Sequence, residues 1–555
     1  MRQPAATGCP GEKPMLLRLS LVSIAAGALT LASAPARAAD TAGPDVIFKE
    51  ARVETAGSVT VKGQKIDYTA VSGTIVVHPA GWDDTAWRVH AAQNAGKDDG
   101  KGDPVAEPGA EASMFYVAYF KKGVPATSRP ITFLFNGGPG SATVWLHMGA
   151  FGPRRVVTRD DSHTPAAPYA LVDNDASLLD ASDLVFIDAP GTGFSRIAGK
   201  DKEKAFYGMD PDAHAFAEFI QAFLTRNDRW NSPKYLFGES YGTPRAAMIA
   251  AQLTADDSVD LNGVILLSQI LNFNLSVDGP SLNPGTDQPY ITALPTYAAT
   301  AWYHNRLPGT RPAELEPFLK EVEAFASGDY ASALQQGALL DPAKKRAIAE
   351  RMAGYIGLPA DYILKSDLRV EGGQFTQQLQ IGSELTTGRL DTRFSGPAID
   401  VLNKEADYDP QSAAISSAYV SVFNGYVRDT LHYGQDQTYL PSAPGANASW
   451  NFDHRPPGQG EPVRGAANVM PDLAVAMKID PQLKVLVTGG YYDLATPYYE
   501  GWYEMHHLQI PASLQGNIAF RYFRSGHMVY ANTDALHQLH DAVAGFIAAT
   551  DNLSR

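Results

Sequence analysis

Residues Gly238-Glu239-Ser240-Tyr241-Gly242 place a serine between two glycines at G-x-S-x-G spacing. They follow a strand-like run, KYLFGES (234–240), and precede a helix-like stretch from Arg245 to Leu253. In that setting the spacing is a nucleophile elbow. The sharp strand-to-helix turn needs glycine on both sides and lifts the serine hydroxyl above the sheet edge. A serine hydroxyl is a poor nucleophile at neutral pH unless an imidazole takes its proton. In elbow hydrolases an acid and then a histidine follow the serine in chain order, each on a loop after a strand. Asp493 follows KVLVTGG (484–490) within GGYYDLATP, and His527 follows IAFRYFRS (518–525) within SGHMVY. The chain has thirteen histidines, and the other twelve do not sit after a late strand with glycine alongside. Asp493 is therefore expected to hold and polarise His527, and His527 to shuttle the Ser240 proton.

Acyl transfer also needs donors for the developing oxyanion. Asn136-Gly137-Gly138-Pro139-Gly140-Ser141 follows the strand-like run ITFLF, where an elbow hydrolase keeps the loop that supplies one N–H. The second donor is expected from the Tyr241 N–H, just after the nucleophile. The glycine-rich loop lacks the lysine and spacing of a P-loop, and it lacks G-x-G-x-x-G, so it is not expected to cradle a nucleotide. Such chemistry calls for no metal and no organic cofactor. The adjacent His506-His507 pair is not spaced for a shared metal.

These residues must be positioned by a sheet. Short apolar runs of the buried-parallel type recur at ITFLFN (131–136), DLVFIDA (183–189), KYLFGES, GVILLSQ (263–269), KVLVTGG and IAFRYFRS. Helical stretches lie between several of them, one opening at Asp210-Pro211. Strands alternating with helices specify an α/β architecture: an α/β-hydrolase fold, with a mostly parallel central sheet flanked by helices. Residues 45 to 77 alternate as short β runs, MFYVAYF (114–120) reads as a strand, and the Gly/Pro- and charge-rich 95–112 as a surface loop. The regular spacing breaks between residues 274 and 480. There Leu315, Phe318, Leu319, Val322 and Phe325 keep helical period up to Gly328, and a second helix runs from Asp341-Pro342 to Gly357. The expected organisation is core at 39–273, a large mainly helical insertion or cap at 274–480, and core again at 481–555.

The chain has 555 residues, with 45 Lys and Arg against 60 Asp and Glu, a net charge of −15, and one cysteine. Nucleic acid is not expected as a partner, because phosphate binding needs a basic surplus and no Lys/Arg cluster is visible. A single cysteine excludes a disulfide framework and a cysteine-rich metal site. Arg18, an apolar run from Leu19 to Ser33, and Ala36-Arg37-Ala38 have the form of a signal peptide ending at residue 38. The run is short for a bilayer span. Cleavage removes Cys9, Arg2, Lys13, Arg18, Arg37 and Glu12, leaving 517 residues with 41 basic and 59 acidic side chains. The expected product is exported, periplasmic or secreted, thiol-free and not membrane-bound.

The motifs NGGPGS (136–141), DAPGTGFS (188–195), GESYG (238–242), GGYYD (489–493) and GHMV (526–529) together resemble those of the serine carboxypeptidases, in the same order, from about residue 115 to 540. The resemblance implies a triad of Ser240, Asp493 and His527, with oxyanion donors at Gly138 and Tyr241. It implies that Asn136 and Glu239, with Gly137, bind the free carboxylate of a peptide C-terminus. It thus implies a serine-type carboxypeptidase that releases C-terminal residues through an acyl-enzyme. A carboxylate beside Glu239 is tolerable only if the two share a proton, so activity is expected to favour acid pH. The sequence departs from the family in four places, one being that GESYG continues as Thr243-Pro244-Arg245. Ala150 stands where members have a further glutamate, Ser141 replaces a disulfide cysteine, and Tyr530 replaces the proline after GHMV. An esterase or acyltransferase on the same scaffold, and a binding protein without catalysis, are the other readings. Oligomeric state is not readable. Trp302-Tyr303, Tyr498-Tyr499 and Trp502-Tyr503 fit a core better than a pocket, and Arg245 fits either a substrate contact or a helix start.

Overall fold

The computed structural model describes residues 47–82, 109–465 and 467–553. The leader with Cys9 and residues 95–108 of the expected surface loop lie outside these. The chain enters the sheet through an antiparallel hairpin, β1 (Arg52–Val61) and β2 (Gln64–Val77). Lys62 and Gly63 make the turn with φ of 48° and 79°, the paired positive angles a two-residue hairpin needs. β3 (Glu111–Lys121) pairs antiparallel with β2 and begins inside the segment expected to be loop. Six strands complete the main path of the sheet: β4 (Ile131–Phe135), β5 (Asp183–Ile187), β6 (Lys234–Glu239), β7 (Gly263–Leu267), β8 (Lys484–Gly490) and β9 (Ile518–Phe523), and a short strand, Arg196–Ala198, pairs with the start of β3 off this path. Their spatial order is β1-β2-β3-β5-β4-β6-β7-β8-β9, with every pairing from β5 to β9 parallel.

Alternate side chains of these strands feed two cores. Ile131, Phe133 and Phe135 of β4 point to one face, with Leu236, Val264 and Val485. Leu134 points to the other, with Phe237, Ile265 and Leu486. On the first face pack α1 (Met209–Arg226) and α2 (Gly242–Ala255), through Phe216, Phe219 and Ile249. β9 is half-buried, unlike its neighbours, because it has only β8 beside it. The apolar run at 518–525 therefore forms an edge strand where the sequence pattern suggested a buried one.

Residues 274–480 are heterogeneous. α3 (Gln288–Tyr303), α4 (Leu315–Phe325) and α5 (Pro342–Ile356) build a third core of their own, joined by Tyr492, Leu494, Tyr498 and Tyr499. α5 is bounded as its sequence implies: the Asp341 carboxylate accepts from the Ala343 and Lys344 N–H groups, and Gly357 leaves with φ 71°. α4 ends at Phe325, but the helical path does not stop at Gly328. A wide turn, Ala326–Tyr330, and a helix, Ala331–Gln336, carry the same apolar face onward through Tyr330, Ala333 and Leu334. Two later helices of this segment rest on the sheet instead. α6 (Pro410–Asp429) joins the second core through Tyr419, Phe423 and Tyr426, and α7 (Met470–Ile479) joins the first through Leu473 and Met477. α8 (Thr533–Thr550) closes the second face with Leu536, Leu539 and Val543.

Candidate active site

Parallel register aligns the carboxyl ends of the central strands. Glu239 lies opposite Leu267, Leu267 opposite Thr488, and Thr488 opposite Arg521. Ser240, Asp493 and His527 follow β6, β8 and β9 beyond this line, and Asn136 follows β4. The loops that carry chemistry thus rise from one edge of the sheet.

At the elbow Ser240 adopts φ 60°, a left-handed angle that costs a non-glycine residue on the order of 1–3 kcal/mol. The strain is held by neighbours. The Ser240 N–H donates to the Leu267 carbonyl at 3.0 Å, and the Thr243 N–H donates to the Ser240 carbonyl at 2.8 Å. A Cβ on Gly238 would lie 2.0 Å from the Gly242 carbonyl oxygen, and one on Gly242 would lie 2.7 Å from the Phe135 carbonyl oxygen, so neither glycine admits a side chain without moving backbone.

Asp493 and His527, thirty-four residues apart in sequence, meet at 2.8 Å between Oδ2 and Nδ1. Asp493 is fully buried and every lone pair is used: Oδ1 accepts the Ala495 and Thr496 N–H groups at 2.9 and 3.0 Å, and Oδ2 accepts the Thr496 hydroxyl at 2.7 Å. The His527 backbone is pinned by Leu390, whose carbonyl accepts its N–H at 2.7 Å, and by Ser268, which donates to its carbonyl at 2.7 Å. Burial opposes a charge on the imidazole, but the Asp493 carboxylate, its hydrogen bond and Glu239 together hold the ring above its ordinary pKa. Nε2 has no protein partner among the described residues. Ser240 and His527 both line one cavity of about 740 Å³.

Asn136, Gly137, Gly138, Glu239 and Tyr241 line the same cavity. The glycine-rich loop lies directly on the elbow: a Cβ on Gly137 would sit 2.3 Å from the Tyr241 nitrogen. Among the described residues neither the Gly138 nor the Tyr241 N–H has a backbone acceptor. Arg245 sits in the first turn of α2, the helix-start reading, and is not a substrate contact, since it does not line the cavity. It is fully buried, binds Asp212 through Nε (2.6 Å) and Nη2 (3.1 Å), and donates to the Asn136 carbonyl at 2.6 Å, bracing the loop from below.

Glu239 is 2% exposed, and burial lifts its carboxyl to about 7. Tyr530 donates to its Oε2 at 2.8 Å, and the Asn136 side chain also hydrogen-bonds it. Asn136 Oδ1 is committed to the Leu146 N–H at 3.0 Å, which leaves its amide to act as a donor. The remaining walls come from distant segments: Trp145 and Ile415 on one side, Phe273 and Phe452 on another. Arg389 and Leu390 also line the site, with Arg389 paired to Asp278 through Nε at 2.9 Å.

Trp302, Tyr303, Tyr498, Tyr499 and Trp502 are absent from this cavity and pack in or against the third core, and Tyr503, also absent from it, stacks on His507. Gly191–Ser195 do not line it either; Ser195 instead accepts the Phe115 N–H with its hydroxyl at 2.8 Å. Among the described residues no cluster of three or more His, Cys, Asp or Glu side chains is placed to hold a metal ion. Thr496 escaped the sequence reading, and Tyr530 was noted there only as a departure from the family, without its contact to Glu239; both sit three residues after a candidate catalytic group. Arg389, Leu390 and Ile415 carry no local sequence signal at all.

Residues 105–308 match the family model described as serine carboxypeptidase, a segment that contains the glycine-rich loop and the elbow. The resemblance of the chain to the serine carboxypeptidases is thus independently shown. The chain is 31% identical over 143 residues to the pheromone-processing carboxypeptidase KEX1 of Yarrowia lipolytica, covering 25% of this chain and 22% of that protein. It is 28% identical over 177 residues to serine carboxypeptidase-like 36 of Arabidopsis thaliana, covering 30% and 34% respectively. The matches therefore span about a fifth and a third of those relatives. Among solved structures, a proline iminopeptidase from Mycobacterium smegmatis aligns over 79% of this chain and 96% of its own at 14% identity, with a TM-score of 0.34. The peroxisomal α/β-hydrolase Lpx1 of Saccharomyces cerevisiae aligns over 87% and 91% at 10% identity, with a TM-score of 0.33. The strand order and the elbow, rather than these scores, carry the α/β-hydrolase fold.

Proposed function

We propose that the protein is a serine-type carboxypeptidase that removes C-terminal residues from peptides through an acyl-enzyme. The observation that carries this reading is Glu239, a buried carboxyl that is half-protonated near neutrality, sharing a cavity with Asn136, Ser240 and His527. A protonated Glu239 and the Asn136 amide offer hydrogen-bond donors to a substrate carboxylate beside the nucleophile; an ionised Glu239 repels it. Ser240 Oγ attacks the last peptide carbonyl as His527 takes its proton, and the Gly138 and Tyr241 N–H groups receive the oxyanion. His527 then protonates the departing amine, and water repeats the sequence on the acyl-enzyme.

The two titrations assist each other. Glu239 raises the His527 pKa while it is charged. When Glu239 gains its proton to accept substrate, that contribution vanishes and the imidazole becomes easier to keep neutral. Activity toward free acids is therefore expected to fall as pH rises through about 7, the Glu239 value. The signal-peptide form of residues 18–38 supports export, to a periplasm or the exterior, as the setting of this activity.

An esterase or acyltransferase remains the second reading, favoured by Ala150, a fully buried methyl where a second acid stands in the family. The two are separated by kcat/KM for blocked dipeptides against their C-terminal amides and esters, over roughly pH 4 to 8, where carboxyl pairs titrate. A preference for the free acid that declines above neutrality supports the carboxypeptidase; equal cleavage of free and amide-capped peptides overturns it.

A further inference from the structure

Two departures from the family, at positions 150 and 530, lie on opposite sides of Glu239 in function but are linked in space. Tyr530 is 3% exposed, on the short turn Val529–Ala531 just after His527, and its hydroxyl donates to Glu239 Oε2 at 2.8 Å. Its ring fills room left by Gly149, the neighbour of Ala150: a Cβ at Gly149 would lie 2.6 Å from Tyr530 Cδ2 and 2.5 Å from the Tyr419 hydroxyl oxygen. The turn Leu146–Phe151, which in the family carries the second acid, here contributes no carboxyl and makes space for a phenol.

Simple packing does not explain the hydroxyl, since a phenylalanine would fill the same space. The groups that face Glu239 are Tyr530 and Asn136 by hydrogen bond, His527 and Asp493 by charge, and Tyr419 from α6. Burial and Glu239 itself push the Tyr530 phenol far above its ordinary pKa, so it stays a donor at any pH of interest. A phenol has one proton to give. Given to Oε2, it leaves that oxygen an acceptor whether or not Glu239 is ionised.

We propose that Tyr530 is the positioning residue for Glu239: by donating to Oε2 it confines the carboxyl proton to Oε1, the oxygen left to donate to a substrate's C-terminal carboxylate. A hydroxyl thereby does the orienting work for which the family uses a second carboxyl. The inference rests on the carboxypeptidase reading and deepens it. It has a sign. Tyr530 stabilises the ionised form of Glu239, so removing the hydroxyl raises the Glu239 pKa.

The test measures kcat/KM against pH for a blocked dipeptide and its C-terminal amide, on wild type, Tyr530→Phe, Glu239→Gln and the double variant. In Tyr530→Phe the alkaline fall for the free acid is expected at higher pH, and the preference for acid over amide drops roughly tenfold through KM, as for a lost hydrogen bond to an ionisable group. In Glu239→Gln the alkaline fall disappears, and adding Tyr530→Phe moves nothing further. A Tyr530→Phe profile that superimposes on wild type, or a shift of equal size with the amide, overturns the role of Tyr530 while leaving the carboxypeptidase reading intact. A wild type with no preference for the free acid overturns both.

Discussion

His527 and His454 are both buried imidazoles paired with aspartate, and they are built for opposite ends. His454 has a carboxylate on each nitrogen: Asp210 Oδ1 at 2.6 Å from Nδ1 and Asp472 Oδ2 at 2.9 Å from Nε2. Burial disfavours its charge, but the two acids outweigh that and raise it to about 9, so it is a permanent cation near neutrality. It pins its own loop onto α1 and α7, which carry Asp210 and Asp472. His527 has one carboxylate, on Nδ1, and turns the rest of its ring to a cavity. A third, His147, is buried with no acid at all and is lowered to about 3, a neutral ring stacked on Phe186. The count of carboxylates differs with the setting: two make a clamped cation, one leaves a nitrogen facing the cavity where the proposed base is needed, and none leaves a neutral ring held by packing and by the Tyr119 hydroxyl at 2.7 Å.

The sharpest break of this comparison is Asp493→Asn. It preserves shape but offers the imidazole an amide, which favours the wrong tautomer. Such a change costs about 10⁴ in kcat when the aspartate orients a catalytic histidine. Active-site titration with a fluorophosphonate should slow in proportion, while the urea midpoint moves little. A loss below tenfold would mean that Asp493 does not orient the base.

The clamp should fail in the other currency. His454→Gln leaves Asp472, 5% exposed at its side chain, buried without its charge partner, a loss of roughly 3–5 kcal/mol in stability. Fluorophosphonate labelling of Ser240 should survive. Because the folded His454 value, about 9, lies above the ordinary 6.5, its contribution is full below pH 6.5 and disappears as pH rises through about 9. The stability gap between variant and wild type, from urea melts, should therefore narrow above pH 9. A constant gap would show that packing, not the ion pairs, is what the variant loses.

Nothing in the local sequence distinguishes these histidines except their place after a strand. His527 is legible because β8 and β9 announce themselves as apolar runs and the elbow fixes which sheet edge matters. The fold was legible for the same reason: β4 to β8 are buried on both faces and so read as continuous Val, Ile, Leu and Phe. β9 read the same way but is an edge, since a run of side chains does not reveal how many neighbours its backbone has. What was illegible depends on long-range closure. His454 meets Asp210 from 244 residues away, Tyr530 meets Glu239 from 291, and Leu390 reaches His527 from within the segment expected to be an insertion. The stop at Gly328 was misplaced because a wide turn absorbs that glycine without breaking the apolar face.

The smallest expected effect tests how finely the single carboxylate is tuned. Thr496 donates its hydroxyl to Asp493 Oδ2 at 2.7 Å, the same oxygen that meets His527, while its N–H holds Oδ1 at 3.0 Å. Thr496→Val keeps the branch and the backbone bond and deletes only the hydroxyl. An Oδ2 with one donor fewer concentrates its charge on the imidazole, so the His527 pKa should rise and the acid limb of kcat/KM should move to higher pH. The aspartate is also less firmly oriented, and kcat should fall about tenfold, in line with a lost hydrogen bond to a charged acceptor. If kcat falls while the acid limb stays in place, the hydroxyl serves orientation alone. If neither changes, the backbone donors suffice to set Asp493, and the distinction between His527 and His454 rests wholly on the number of carboxylates.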